Sequence, residues 1–420
     1  MNKRTFLKNA TLMGIGSLAG FSAFSQVAKN NDHVPPKKSA KDEDFWETIR
    51  KGYDLTPEYI NLENGYYNIM PREVMQRYSE HIREINVQGA HYMRTVQFDN
   101  KKNVAIRLAS LAGCSPDELI ITRNTTESLD MIISGMNWKQ GDEAIMAEQD
   151  YGAMLDMFAQ VSRRYGTVNK TVSLPLNPHN DDEIVALYEN AITPKTKLLM
   201  VCHMVNITGQ ILPIRKICDM AHKRNVQVMV DGAHAFAHIQ FKIRDLNCDY
   251  YGASLHKWLS SPLGAGILYV KKDNISKVWP LFADNSKKDN DILRLNHTGT
   301  HPAATDLAII DALNFYSHIG PERKEQRLRY LHHYWSAQVA DLRHIEYNTP
   351  LQPERSCAIG NVGIKGMKPA DMADQLLKKY KIYTVAIDAA GIKGCRITPN
   401  VFTTTAELDT LVNALKEMSA

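Results

Sequence analysis

The stretch from Val226 to Val270, VQVMVDGAHAFAHIQFKIRDLNCDYYGASLHKWLSSPLGAGILYV, constrains the fold of this chain more than any other. It opens on an apolar, β-branched run, Val226 to Val230, of the kind a parallel strand buried on both faces requires. Asp231 follows at once, so its carboxylate sits where the strand leaves the sheet. A second short run, Tyr250 to Ala253, leads into Ser254, His256 and Lys257, and a third, Gly264 to Val270, returns behind a small-residue turn. An aspartate and a lysine therefore meet at one end of a sheet.

A lysine alone would read as a solvated surface charge. Paired with a carboxylate it fits the chemistry of pyridoxal phosphate (PLP), which is held as a Schiff base on a lysine while a carboxylate keeps the ring nitrogen protonated. On VDGAH, SLHKW and the Gly-rich return strand, the sequence resembles the class V aminotransferase family of fold-type I PLP enzymes, from about Asn61 to the C-terminus. The resemblance implies an α/β protein: a large domain with a mainly parallel, seven-stranded type of sheet, and a small α+β domain. It makes Lys257 the Schiff-base lysine and Asp231 the partner of the ring nitrogen.

Other stretches carry further matches. Leu119 to Thr122 is a compact strand, followed by Arg123-Asn124-Thr125-Thr126 and a helix with Leu129, Ile132, Ile133 and Met136 on one face. Asn124, three residues before Glu127, suits a capped start. A helix N-terminus behind a hydroxyl-rich turn is an anion site, and Thr125 and Thr126 match the family's phosphate turn. As plain N-cap residues they would look the same. The strand Ala144 to Ala147 ends in Glu148-Gln149-Asp150-Tyr151-Gly152, and Tyr151 matches the aromatic residue that lies on the cofactor ring. The strand Lys197 to His203 precedes Asn206, which matches a donor to the ring's phenolic oxygen. The helix Ile214 to Asn225 then delivers the chain to Val226, a right-handed parallel crossover that gathers ligand groups at the strands' carboxyl ends. His234 matches a second contact to the phenolic oxygen, and Ser254 and His256 match phosphate contacts. His238 has no match and reads as structural.

For the substrate, the resemblance points to Arg396 in Gly394-Cys395-Arg396-Ile397-Thr398-Pro399 as the clamp on an α-carboxylate, a task suited to a planar fork. Cys395, its neighbour on a strand, should face away. Asn64, Tyr66, Tyr67 and Arg94 match positions around the pocket; a packed tyrosine pair and a surface arginine are the alternative. Thr300, in Asn296 to Pro302, matches a residue that reaches the neighbouring subunit's phosphate, which implies a homodimer with shared sites. Cysteine desulfurases of the family carry a nucleophilic cysteine on a loop before the arginine; Tyr380 to Gly394 has none, which argues against a persulfide-forming desulfurase. The motif set resembles the isopenicillin N epimerase-like members, so racemisation or epimerisation at the α-carbon of an amino acid is the first reading. An aminotransferase or a C–S or C–C lyase is the alternative, and a non-catalytic binding protein of the same fold is the rival of another class.

Composition bounds the rest. The chain has 420 residues, 44% hydrophobic and 23% charged, as for an ordinary two-domain globular protein. Its start, with Lys3, Arg4 and Lys8 before the apolar stretch Ala10 to Phe24 and the small-residue site Ala23-Phe24-Ser25, reads as an export signal. It resembles a twin-arginine signal with Lys3 in place of the first arginine, which implies a periplasmic or exported protein; an uncleaved anchor or a cytoplasmic tail is the alternative. The apolar stretch is too short to span a bilayer comfortably. Without those three residues the chain has 47 basic against 46 acidic groups, which gives no electrostatic case for nucleic acid or an anionic membrane. Six cysteines without repeated spacing make neither a disulfide framework nor a metal site, although one bridge stays open. The expected organisation is an export signal over 1–25, a linker over 26–43, an N-terminal segment joining the small domain over 44–75, a large domain over 76–305 and a small domain over 306–420.

Overall fold

The structure is a computed structural model that describes residues 34–418. The expected export signal and the first part of the linker lie outside the described residues. After the two-residue strand β1 (Ile60–Asn61) come the strands of the main sheet: β2 (Leu119–Thr122), β3 (Glu143–Ala147), β4 (Val168–Val172), β5 (Thr196–Cys202), β6 (Gln227–Asp231), β7 (Tyr250–Ser254) and β8 (Gly266–Val270). Their order is β2-β8-β7-β6-β5-β3-β4, and only β8 runs antiparallel to its neighbours. The expected mainly parallel, seven-stranded sheet is therefore present.

Its central strands are apolar on both faces, as doubly covered strands must be. Side chains alternate between two cores. Leu199, Val201, Val228, Val230, Tyr251 and Ile267 pack on one face; Leu198, Met200, Met229, Tyr250 and Leu268 pack on the other. The second face is covered by the helices Thr125–Gly135, through Leu129, Ile132 and Ile133, and Gly152–Tyr165, through Met154 and Phe158. Ile214–Lys223 covers the first face with Ile214, Ile217 and Ala221.

The remaining strands are β9 (Ile345–Tyr347), β10 (Gly360–Ile364), β11 (Ile382–Tyr383), β12 (Val385–Ala389) and β13 (Ile392–Ile397). Four of them form an antiparallel sheet in the order β12-β13-β10-β9, and β11 pairs in parallel with β1. Around that sheet lies a third core, which includes Leu331, Trp335, Met372, Leu376, Leu408 and Leu411, and Leu62 from the N-terminal side.

Two boundaries differ from the expected ones. Pro36–Ser39 is a helical turn, and Arg327 donates to the carbonyls of Ala40 (3.0 Å) and Thr403 (3.0 Å) while pairing with Glu43. Folded structure thus starts before 44, because a buried guanidinium needs these acceptors. The helix Ala303–Ile319 places Ile309 and Leu313 in the large core, which therefore extends past 306 to Leu328; Leu331 belongs to the third core, and Cys357, Ala358, Ile359, Val401 and Phe402 return to the large one.

Candidate active site

Cys202, Asp231 and Ser254 are the last residues of β5, β6 and β7, and the register sets Cys202 beside Asp231 and Ser254 beside Gly266. The same edge carries the turn after β2. Functional side chains therefore collect at the carboxyl ends of parallel strands, where the backbone turns away and leaves room for a ligand.

Lys257 follows β7 on a tight turn, partly buried, with Nζ 3.1 Å from Nε2 of His234. Burial pulls the ammonium down to about 8, against the pull of Asp231 in the opposite direction; Arg396 adds to the lowering. Asp231 is buried and accepts a hydrogen bond from the Ala233 N–H (2.9 Å). Burial raises its carboxyl, while that N–H and Lys257 lower it. His234 is buried and kept neutral, first by burial and then by Lys257 and Arg396. Its Nδ1 has no partner. Burial likewise holds His256 down at about 4, and its Nδ1 is also unpartnered.

Thr125 opens the helix Thr125–Gly135, whose start Asn124 caps by accepting from the Glu127 N–H (2.9 Å). The Thr125 N–H donates to Ser254 Oγ (2.9 Å), and the two hydroxyls lie 2.7 Å apart. Such proximity of β8 to this turn requires glycine at 266. An ideal Cβ there would stand 2.7 Å from Asn124 Cα. Thr126, by contrast, lines a groove of about 670 Å³ between this helix and Gly152–Tyr165, together with Asp130, Ala153 and Asp156.

Arg396, on β13, is buried and bound side-on by Glu63: Nε to Oε2 at 3.0 Å, Nη2 to Oε1 at 2.7 Å. Its Nη1 donates to the carbonyl of Asn206 (3.2 Å), whose buried Oδ1 has no partner. Cys395 points the other way, with Sγ 3.6 Å from the Pro369 carbonyl, as strand alternation predicts. Asn64 calls for a correction. It is fully buried; its Nδ2 donates to Thr398 O (2.8 Å) and its Oδ1 accepts from Asn61 (3.0 Å), so its amide holds the chain rather than facing a ligand. Tyr66 is 72% and Tyr151 43% exposed; Tyr67 is half-buried, and Arg94 and Thr300 are exposed. Arg94 lies on the π-helical segment Tyr92–Val96. His238 is structural: it stacks on Trp258 at 3.7 Å and accepts from the Ala358 N–H (3.0 Å).

Sequence reasoning missed three groups. Glu63 holds the arginine. The Asn68 backbone N–H donates to the His256 carbonyl (3.1 Å) and so pins the N-terminal segment to the lysine turn. Asp150 is buried beside Cys202, its carboxyl pushed up to about 7 chiefly by burial. Glu63 had a faint signal, the single carboxylate in Ile60 to Tyr67. All six cysteines are free, and among the described residues no cluster of His, Cys, Asp or Glu could hold a metal ion.

The residues present fit pyridoxal phosphate. The donor set is in place: an amine of lowered basicity, a buried carboxylate, unpartnered nitrogens on His234 and His256, and a helix N-terminus. Fold and site together define a fold-type I enzyme of the PLP class. The chain belongs to the aminotransferase class-V family, whose model matches residues 68–397. It is 28% identical over 399 residues to an isopenicillin N epimerase of Amycolatopsis lactamdurans, covering 89% of this chain and 98% of that protein. A probable cysteine desulfurase of Halalkalibacterium halodurans is 24% identical over 350 residues, covering 78% of this chain and 84% of that one. Among solved structures, a C-DES mutant with glycine covalently linked to the PLP cofactor superposes with a TM-score of 0.80 at 18% identity, over 88% of this chain and 99% of that one.

Proposed function

We propose that the protein is a PLP-dependent enzyme that acts at the α-carbon of an amino acid and epimerises or racemises it. The observation that carries the chemistry is the pair Lys257 and Asp231 at one sheet edge. The resemblance to an isopenicillin N epimerase over almost its whole length favours epimerisation. When bound, PLP supplies an aldehyde and an electron-accepting ring.

The chain's own residues do the rest. Lys257 would hold the aldehyde, and its amine, titrating near 8, would move the α-proton. Asp231 keeps a negative charge at the ring nitrogen. Asn206 and His234 would bond the phenolic oxygen, and Thr125, Ser254 and His256 would hold the phosphate, with Thr126 contributing through its place in the first turn of the helix and Thr300 of a second copy joining them. Tyr151 covers one ring face. Arg396 takes the substrate carboxylate through the N–H groups that Glu63 leaves open, and Tyr66, Tyr67 and Arg94 border the pocket.

Incubation with L- and D-amino acids in deuterium oxide tests the reading. Deuterium at the α-carbon with inversion is the expected result. Exchange with a keto acid accumulating would make the protein an aminotransferase, and release of pyruvate or sulfide would make it a lyase. A ligand that binds Lys257→Ala as well as the wild type, with no turnover by either, would point to a binding protein. The homodimer is tested by light scattering on the purified protein; a monomer with full activity refutes shared sites. Export rests on the N-terminal sequence features, and an intact Met1 on a cytoplasmic protein would refute it. Among the described residues no helix is long and apolar enough to cross a membrane.

A further inference from the structure

Glu63 and Arg396 are 333 positions apart and both buried, yet they meet as a side-on fork. Glu63 is not free to leave. Its Oε1 also accepts the backbone N–H groups of Gly65 (3.1 Å) and Tyr66 (2.8 Å), so the turn that starts at Glu63 is wrapped around its own carboxylate. The turn is close to the guanidinium as well: an ideal Cβ at Gly65 would stand 3.3 Å from Arg396 Cζ.

A guanidinium has five N–H donors. Glu63 takes the one on Nε and one on Nη2, and the Asn206 carbonyl takes one on Nη1. One N–H on Nη1 and one on Nη2 remain, and the latter is the one on the Nη1 side. A ligand carboxylate is thus met by these remaining N–H groups, on a guanidinium that already carries a carboxylate along its Nε–Nη2 edge. We propose that Glu63 is a built-in counter-charge that sets the affinity and the approach of carboxylate ligands at Arg396. The inference rests on the reading of Arg396 as the substrate-carboxylate site.

Two effects of removing the charge point the same way. Glutamine keeps the length of Glu63 and an oxygen acceptor, so Arg396 stays in place through its packing and the Asn206 carbonyl. The second carboxylate then no longer meets repulsion across one guanidinium. A buried arginine without its counter-ion also raises the free energy of the unliganded protein, and a bound carboxylate relieves it. Both effects tighten binding of acids and leave amides untouched.

The test titrates the visible band of the wild-type, Glu63→Gln and Arg396→Gln holoenzymes with 2-methylalanine, which has no α-proton to lose, and with its carboxamide. Glu63→Gln should bind the acid about tenfold tighter than wild type, equivalent to about 1.4 kcal/mol, and the amide equally well. Its thermal midpoint should also rise more on adding the acid. Equal or weaker binding of the acid by Glu63→Gln, with Arg396→Gln weakened, overturns the inference and keeps the arginine reading. Unchanged acid binding by Arg396→Gln overturns the arginine reading, and the role of Glu63 with it. Should Glu63→Gln fail to fold alone, the acid and not the amide must restore folded, band-bearing protein; rescue by both or by neither overturns the counter-charge.

Discussion

The two halves of the site are built in different ways. At the main-sheet edge, Asp231, Ser254 and Lys257 follow strands whose register fixes where each side chain emerges. At the junction with the small domain, Arg396 on β13 is positioned by Glu63 and Asn206, contributed by remote parts of the chain. The first half is set by strand ends; the second exists only once the tertiary structure has closed. The cofactor half should therefore keep its visible band when the arginine half is changed, whereas the arginine half should show its losses as affinity and stability.

Replacing Lys257 breaks the first half most completely. Lys257→Ala should lower turnover by at least about a thousandfold, since nucleophile and proton carrier go together, and should abolish the lysine-dependent visible band. Retained turnover would mean that another amine carries the aldehyde. Asp231→Asn keeps the shape and removes the charge; kcat should fall about a hundredfold or more while a band remains. Equal kcat for the two proteins would take Asp231 out of the chemistry.

Arg396→Gln sharpens the contrast from the other side. It leaves Glu63 buried without its partner, and breaking a buried pair in this way costs about 3 kcal/mol or more. Urea unfolding should show that loss, with the cofactor band preserved in the folded protein. A smaller loss, or a lost band, would mean that the two halves do not separate as described.

The amine of Lys257 gives a finer test within the first half. Burial lowers its pKa from that of an ordinary lysine to about 8. The neutral amine is the form that adds to an aldehyde, so cofactor loading of the apo-protein should accelerate as pH rises toward 8, about tenfold per unit, and level off above about 9. A rate still climbing through pH 10 would show an unperturbed lysine.

These contrasts also explain what could be read in advance. The main sheet was legible because its central strands are apolar runs that end in polar residues; Asp231 closes one of them and Lys257 follows three residues after another. His238 and the outward-facing Cys395 were legible for similarly local reasons. Asn64 was misplaced, because the sequence shows an amide in a turn and hides that Thr398 and Asn61 use both of its ends. Glu63 was missed for the same reason: its partner is 333 positions away. The packing of Pro36–Ser39 was hidden too, since the acceptors that Arg327 needs are visible only after folding.

The smallest effect is expected at Cys395, and it decides the most about the family's alternatives. The residue lies next to Arg396 in sequence, so a reading by proximity alone would make its thiol a nucleophile at the substrate. Strand alternation turns it to the other face, where it is fully buried and its thiol is pushed up to about 11, first by burial. A thiol of that kind is neutral at pH 7 and cannot reach a ligand held by Arg396. Cys395→Ala should then leave turnover within about twofold of wild type, with stability lowered by about 1 kcal/mol for the small cavity. Loss of turnover at unchanged stability would place sulfur chemistry in this site after all, and would move the protein from the epimerase-like to the desulfurase-like side of its family.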